Sequence, residues 1–367
     1  MGHARLMRIG QWIATALAGL CLLASMPLGR MREGKNDFVH FYIGGKLYGT
    51  PDIHSQDVNY KLQEELIGGR MDNSFFGRPT FYGFFLKPFA MLSYPAAYAV
   101  FQVLSLGAVI AFIFLQTKGL GALPYLAMVS VPLVTNFANG QDVVFLLLIC
   151  AVSLLLADRG RDFAAGLLFS LCAIKLHLFV FVPVAIIIFR RWRFLAGGAA
   201  GGAVLAILSL AAGGIELQRR LLEEMRKPDH SPYGNWMPNL RSLSGDDSTL
   251  FVILALTVSV MVIWLIWKAP SLQAAFGWAL IGGLLVSFHA YVQDCLMVLL
   301  AFTLVSSMIP TVTRALFYAA ILPPIYIIHL CGPPYTALFP ALLIALLGVQ
   351  IYAEATARTR IAQPCLS

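Results

Sequence analysis

Asn36-Asp37-Phe38-Val39-His40-Phe41-Tyr42 follows an apolar run, Ile9 to Leu28, that is interrupted only by Gln11. About 20 apolar residues are enough to cross the hydrocarbon core of a bilayer as a helix. Asp37 is therefore expected just past a first membrane span, at the membrane surface and among aromatic side chains. A carboxylate held there can accept a proton from a hydroxyl. It can equally cap the short helix expected from Phe38, because Asp is a favoured N-cap. The residues alone leave both readings open.

Composition extends the membrane reading to the whole chain. Of 367 residues, 59% are hydrophobic and 12% charged, and the mean hydropathy is +0.77. A soluble domain of this length does not have such a composition, so the fold class expected is an all-α polytopic membrane protein, a single transmembrane domain over 1–367. Apolar runs at 9–28, 94–116, 122–138, 141–157, 163–175, 177–189, 194–214, 249–267, 271–288, 291–309, 312–330 and 335–353 predict about 12 spans. Residues 79–92 are too short to cross and predict a re-entrant or interfacial piece. The 163–175 and 177–189 runs are also short, which predicts partial crossings or a thinned membrane. The N-terminal run is read as a retained signal-anchor helix rather than a cleaved signal peptide, since no clean small-x-small site follows it.

Lys and Arg set the orientation. With the N-terminus cytoplasmic, the short cytoplasmic connections collect Lys118, Arg159, Arg161, Lys268, Arg314 and the Arg190-Arg191-Trp192-Arg193 turn, whereas those on the other side carry Lys175. The formal charge of +8 then records topology, and nucleic acid is not expected as a partner. Two long outer loops result, 29–78 and 215–248.

On that outer side the unusual polar residues gather: Asp37 and His40, Asn139-Gly140-Gln141-Asp142, Lys175-Leu176-His177, Asn239-Leu240-Arg241-Ser242, and His289-Ala290-Tyr291-Val292-Gln293-Asp294. Together they predict the rim of a cavity. Each has a simpler explanation. Asp142 can favour a helix dipole, Lys175 can snorkel to headgroups, His289 can be an interfacial histidine, and His40 can tune Asp37 or stack among the aromatics. His54, His230 and His329 are read as surface or structural groups. The six cysteines contain no CxxC and are read as small buried hydrophobes. No HExxH, DxD or GxxxxGK[ST] pattern occurs, so no metal, cofactor or nucleotide is expected. The Gly197–Gly202 run lies inside a span and predicts close helix packing.

The ordered segments Asp37-Phe38 with Phe41-Tyr42 and Gly44-Gly45-Lys46-Leu47-Tyr48-Gly49, Phe81-Tyr82 to Leu92 with Ala96-Ala97-Tyr98, Asn139-Gly140-Gln141-Asp142, Ala165-Gly166-Leu167-Leu168 to Lys175 and Arg190-Arg191-Trp192-Arg193, Asn239-Leu240-Arg241-Ser242-Leu243, and Ser287-Phe288-His289 to Asp294 cover most of 35–300. In that order they resemble the polyprenol-phosphate-sugar-dependent transferases of glycosyltransferase family 87, similar to the mycobacterial alpha-1,2-mannosyltransferases. The resemblance implies the C-type glycosyltransferase fold, an outer active site and a catalytic carboxylate, which maps onto Asp37. The chain departs from the pattern at Leu176, where the family has Pro after Lys, at Phe81-Tyr82-Gly83 in place of Tyr-Pro-Pro, and at Asp142 in place of Asn.

The expected activity is transfer of a hexosyl, by resemblance mannosyl, group from a polyprenyl-phosphate donor to an acceptor hydroxyl on a glycan or glycolipid, with inversion and Asp37 as general base. Lys175, Arg241 and His289 are the expected phosphate-binding groups. His40, Tyr42, Gln141, Asp142, His177, Tyr291 and Asp294 are the expected substrate-binding residues. Membrane lipids are the other partner, and the resemblance places the chain in a bacterial inner membrane with its site facing the periplasm. A lipid or sugar transporter would instead show mid-span charges and an internal repeat, and a non-catalytic subunit of the same fold would need no Asp37. The orientation has a direct test. Single cysteines at Arg191 and Asn235, labelled on intact cells with an impermeant reagent, should react at 235 and stay protected at 191; the opposite pattern would reverse the topology.

Overall fold

The computed structural model describes residues 28–70, 75–116, 121–226 and 234–362, together with 13, 15–17, 19–21 and 24. Among them there are helices and turns and no strand. The all-α membrane class therefore holds. The expected span at 9–28 and His230 lie largely or wholly outside the described residues.

The expected count of about 12 spans is not confirmed among the described residues. Five described helices are long and apolar enough to cross, Tyr94–Gln116, Asp162–Phe179, Trp192–Ala211, Ser248–Lys268 and Tyr335–Thr356; the bent pair Thr311–Ile321 and Pro323–His329 makes a sixth if counted as one span. Hydropathy reports apolar composition, not helix continuity, and several of the expected runs are shorter or broken helices. Residues 122–138 divide into Leu123–Met128 and Val131–Ala138. The 141–157 and 271–288 runs become helices of 16 and 15 residues. The 312–330 run is bent by 52° at Leu322–Pro323, where the proline cannot continue the preceding helix.

The 163–175 and 177–189 runs are also redrawn. The α-helix Asp162–Phe169 passes into a 3-10 stretch, Ser170–Phe179, whose backbone leaves helical geometry at Lys175 (φ −132°, ψ 55°). A 3-10 helix rises about 2 Å per residue against 1.5 Å in an α-helix, so this 18-residue segment reaches further than its length suggests. The helix that follows, Val182–Ile188, is only 7 residues long.

The chain folds as two compact units. The first takes residues 1–115, 132–176 and 192–232; the second takes 116–131, 177–191 and 233–367. In the first, Phe38–Leu47 packs on the short Phe81–Ala90 helix, which is the piece expected at 79–92. A Cβ on Gly44 would run into the Phe76 ring, one on Gly45 would meet the Leu86 carbonyl, and one on Gly83 would lie 2.9 Å from the Gly44 carbonyl. Phe38, Phe41, Tyr42, Phe81, Tyr94, Tyr98 and Phe101 fill the space around this crossing. An amphipathic helix, Gly214–Arg226, buries Leu217 and Leu221, and Leu217 joins the same core cluster.

The Asp162–Phe169 and Trp192–Ala211 helices approach through glycine on both sides. A Cβ at Gly166 would collide with the Phe194 carbonyl, one at Gly197 with the Phe163 carbonyl, and one at Gly201 with Ser170 Oγ. The small-residue run thus packs as its sequence predicts. In the second unit, Leu272–Val286 and Leu296–Val305 are buried along almost their whole length, and Gly283 lies against the Leu178 carbonyl.

Cys150, Cys172 and Cys295 are buried as expected, but Cys21 and Cys331 are exposed. Of the two roles expected for His54, surface or structural, it has the structural one: it is 1% exposed and bonds Phe76 O at 2.9 Å and Thr80 Oγ1 at 3.0 Å.

Gly166→Val should destabilise the first unit by about 1–3 kcal/mol or more through forced overpacking, read as a lowered unfolding midpoint in detergent. Gly202→Val, on the same helix Trp192–Ala211 but facing open space, should leave the midpoint nearly unchanged.

Candidate active site around Asp37

Two turns of the first unit build this site. Asp37 N donates to the Asn139 carbonyl at 3.0 Å. Asn36 Nδ2 donates to the Ala138 carbonyl and to Tyr98 Oη, both at 2.9 Å, while Asn36 Oδ1 accepts from Phe38 N. Gly140 has φ +60°, a conformation open to glycine at little cost. A Cβ there would lie 2.7 Å from Asn36 Oδ1 and 2.8 Å from Phe38 Cβ. The Asn139–Asp142 turn is therefore pressed against the Asn36–Phe38 turn, and Gln141 and Asp142 are delivered beside Asp37.

Asp37 occupies the N-cap position of Phe38–Leu47, but its side chain makes no capping hydrogen bond. Instead Oδ2 accepts from Gln141 Nε2 at 2.6 Å. Among the described residues Oδ1 has no hydrogen-bond partner, and the residue is partly open to solvent. Asp142 likewise stands at the head of Val143–Asp158 without capping it. It is 1% exposed, and its Oδ1 accepts from Arg78 Nη2 at 3.1 Å and faces Lys175 Nζ at 3.9 Å. Arg78 Nη2 also donates to Gln141 Oε1 at 3.2 Å, and its guanidinium lies 5.6 Å from the centre of the Phe41 ring. Lys175 is buried rather than snorkelling, at 4% exposure.

Two carboxylates and two cations thus share one buried network. Burial away from water pushes the Asp37 carboxyl above the ordinary carboxylate range, against the pull of the Gln141 hydrogen bond and of the Arg78 and Lys175 charges. His40, one turn along the helix, is buried with neither ring nitrogen bonded among the described residues. Burial first, and Arg78 second, hold its pKa down at about 4, so it is neutral at physiological pH and its nitrogens are sealed from solvent. Tyr42 spends its hydroxyl on the Leu92 carbonyl at 2.8 Å.

The remaining expected site residues belong to the second unit. Leu240 N bonds Leu285 O at 3.1 Å, Asn239 Nδ2 bonds Ser287 O at 2.7 Å, and Arg241 Nη1 bonds Phe288 O at 3.3 Å. These contacts bring Arg241 to the turn that holds His289. The His289 ring lies 4.8 Å from Tyr291 and 6.3 Å from His177. Asp294 is used locally: its Oδ2 accepts from Tyr291 N at 2.9 Å, closing the Val292–Cys295 turn. The sequence reading missed Arg78, together with the supporting Asn36 and Tyr98. A signal existed in Gly77-Arg78-Pro79, a lone charge between the aromatic pairs Phe75-Phe76 and Phe81-Tyr82.

Removing one member of a buried ionic group is costly because the other is left uncompensated. Asp142→Asn should therefore destabilise the protein by about 3–5 kcal/mol, and adding Lys175→Met should return part of that loss. A double variant less stable than Asp142→Asn alone would show that the two charges are not coupled.

The model of glycosyltransferase family 87 matches residues 76–313. That range holds Arg78, Gln141, Asp142 and Lys175 as well as Arg241, His289 and Tyr291, and it begins after Asp37. No curated protein and no solved structure matches the chain. With well over half of its length matched, this membrane-embedded helical chain belongs to glycosyltransferase family 87.

Proposed function

We propose that the protein transfers a hexosyl group, mannosyl by family resemblance, from a polyprenyl-phosphate donor to an acceptor hydroxyl on a glycan or glycolipid. Transfer takes place at the non-cytoplasmic face of a bacterial inner membrane and inverts the anomeric centre. The observation that carries this reading is the Asp37 carboxylate: it does not cap its helix, one oxygen is held by Gln141, and the other is unbonded among the described residues. That is the arrangement a general base needs. Apolar helices suit a donor whose leaving group stays in the lipid.

In this reading Asp37 Oδ1 takes the acceptor proton while the acceptor oxygen attacks C1 from the face opposite the phosphate. The C1–O bond breaks towards the phosphate, which leaves as a lipid monoester. Negative charge moves from Asp37 to the phosphate during the step. Lys175, Arg241 and His289 are the groups we assign to the phosphate, since charge-assisted donors stabilise developing phosphate charge without a metal. His177 and Tyr291, beside His289, are assigned to the substrate. Gln141 and Asp142, both engaged with their neighbours, serve the site by shaping it.

Asp37→Asn keeps the side chain's shape and removes the base. Transfer should fall by about 10²–10⁴-fold with folding and donor binding nearly unchanged. Near-normal turnover by this variant would sink the base assignment while leaving the family membership untouched.

A further inference from the structure

Gln141 stands between a carboxylate and a guanidinium. Its Nε2 donates to Asp37 Oδ2 at 2.6 Å and its Oε1 accepts from Arg78 Nη2 at 3.2 Å. Turning the amide over would set Oε1 against the carboxylate and the NH₂ group against the guanidinium, replacing two attractions by two repulsions. The electrostatics at both ends therefore fix which atom is which. The rest of the residue is fixed too, since Gln141 N donates to the Asn136 carbonyl at 2.8 Å and the side chain is buried. Arg78 in turn is tied to Asp142 Oδ1 at 3.1 Å, and that oxygen faces Lys175 at 3.9 Å. The polarity runs one way, from Asp142 through Arg78 and Gln141 to Asp37.

We propose that Arg78 is a positioning residue acting through Gln141: it locks the amide so that Asp37 Oδ2 always carries a hydrogen bond and Oδ1 is the oxygen that receives the acceptor proton. The proposal rests on Asp37 being the base. The bonding balances across the step. The acceptor O–H proton goes to Oδ1, the acceptor oxygen bonds C1, and the C1–O pair leaves with the phosphate. Oδ2 of the neutral acid is then the carbonyl oxygen and still accepts from Gln141. The amide need not turn during turnover, and Oδ1 is the site that must shed its proton before the next cycle.

A donated hydrogen bond favours the carboxylate. Without it, Asp37 holds its proton to higher pH, and the acid limb of the transfer profile moves up. The test uses the full-length protein in liposomes, a labelled polyprenyl-phosphate mannose as donor and an alkyl mannoside as acceptor. Gln141→Leu removes the donor. Gln141→Glu keeps the shape and the acceptor for Arg78 but sets a second carboxylate against Asp37. In both variants the acid limb of kcat/KM should rise by about one pH unit or more. Arg78→Met and Gln141→Leu should each cut kcat by about 100-fold, and the double variant should be no worse than the poorer single one, since residues acting as one unit are not additive.

An acid limb unmoved in the Gln141 variants, or losses that multiply in the double variant, would overturn the proposal. If Arg78→Met does not fold, the near-isosteric Gln141→Glu limb decides alone. The two levels also separate. An inactive Asp37→Asn with an unmoved Gln141 limb defeats the positioning role only, whereas an active Asp37→Asn defeats the base assignment and this inference with it.

Discussion

The contact between Gly140 and the Asn36–Phe38 turn is the constraint on which the Asp37 site depends. Gly140 adopts φ +60° with Asn36 Oδ1 and Phe38 Cβ where a side chain would otherwise stand. Because that space is empty, Asn36 can bond the Ala138 carbonyl and Asp37 N can bond the Asn139 carbonyl. The next two residues in the chain are Gln141 and Asp142, and the turn sets both beside Asp37. A second set of glycines performs the same service one layer out: Gly44, Gly45 and Gly83 let Phe38–Leu47 cross Phe81–Ala90 at backbone distance, which brings Arg78, just before the second helix, over the Phe41 ring. The site is a consequence of close backbone packing, and its charges are placed by residues that carry none.

The electrostatics follow from that placement. Isolated charges in a dry site are costly, so buried ionic groups occur paired and hydrogen-bonded. Asp142, Arg78 and Lys175 satisfy this together. Asp37 does so only on one oxygen, and burial pushes its carboxyl above the usual range. An acid poised in this way is a better proton acceptor than a fully satisfied one. His40, buried close by with its pKa near 4, adds no charge to the balance at neutral pH.

Much of this was legible in the chain. Composition alone carries the all-α membrane class, and the order of Asp37, Gly140-Gln141-Asp142 and Lys175 carries the family resemblance. What failed were boundaries and partners. Hydropathy does not register that Val129–Ser130 and Leu322–Pro323 break a run, nor that 3-10 winding through Lys175 carries one on, so five or six of the described helices are of membrane length and the count of about 12 is not confirmed. Capping propensity suggested local roles for Asp37 and Asp142, yet both side chains turn to groups far away in sequence, and tertiary bonding of that kind leaves no local pattern. Arg78 escaped notice for the same reason: its partners Gln141 and Asp142 lie more than sixty residues on.

Everything functional in this account converges on a single displacement at C1 assisted by one carboxylate. The stereochemistry of the product tests it most directly. Wild-type protein reconstituted in lipid, given a polyprenyl-phosphate hexose of defined anomeric configuration and an acceptor alcohol, should yield a glycoside of the opposite configuration by NMR. A product that retains the donor's configuration would require a second displacement and a nucleophile that Asp37, acting as a base, does not supply, and would contradict the account.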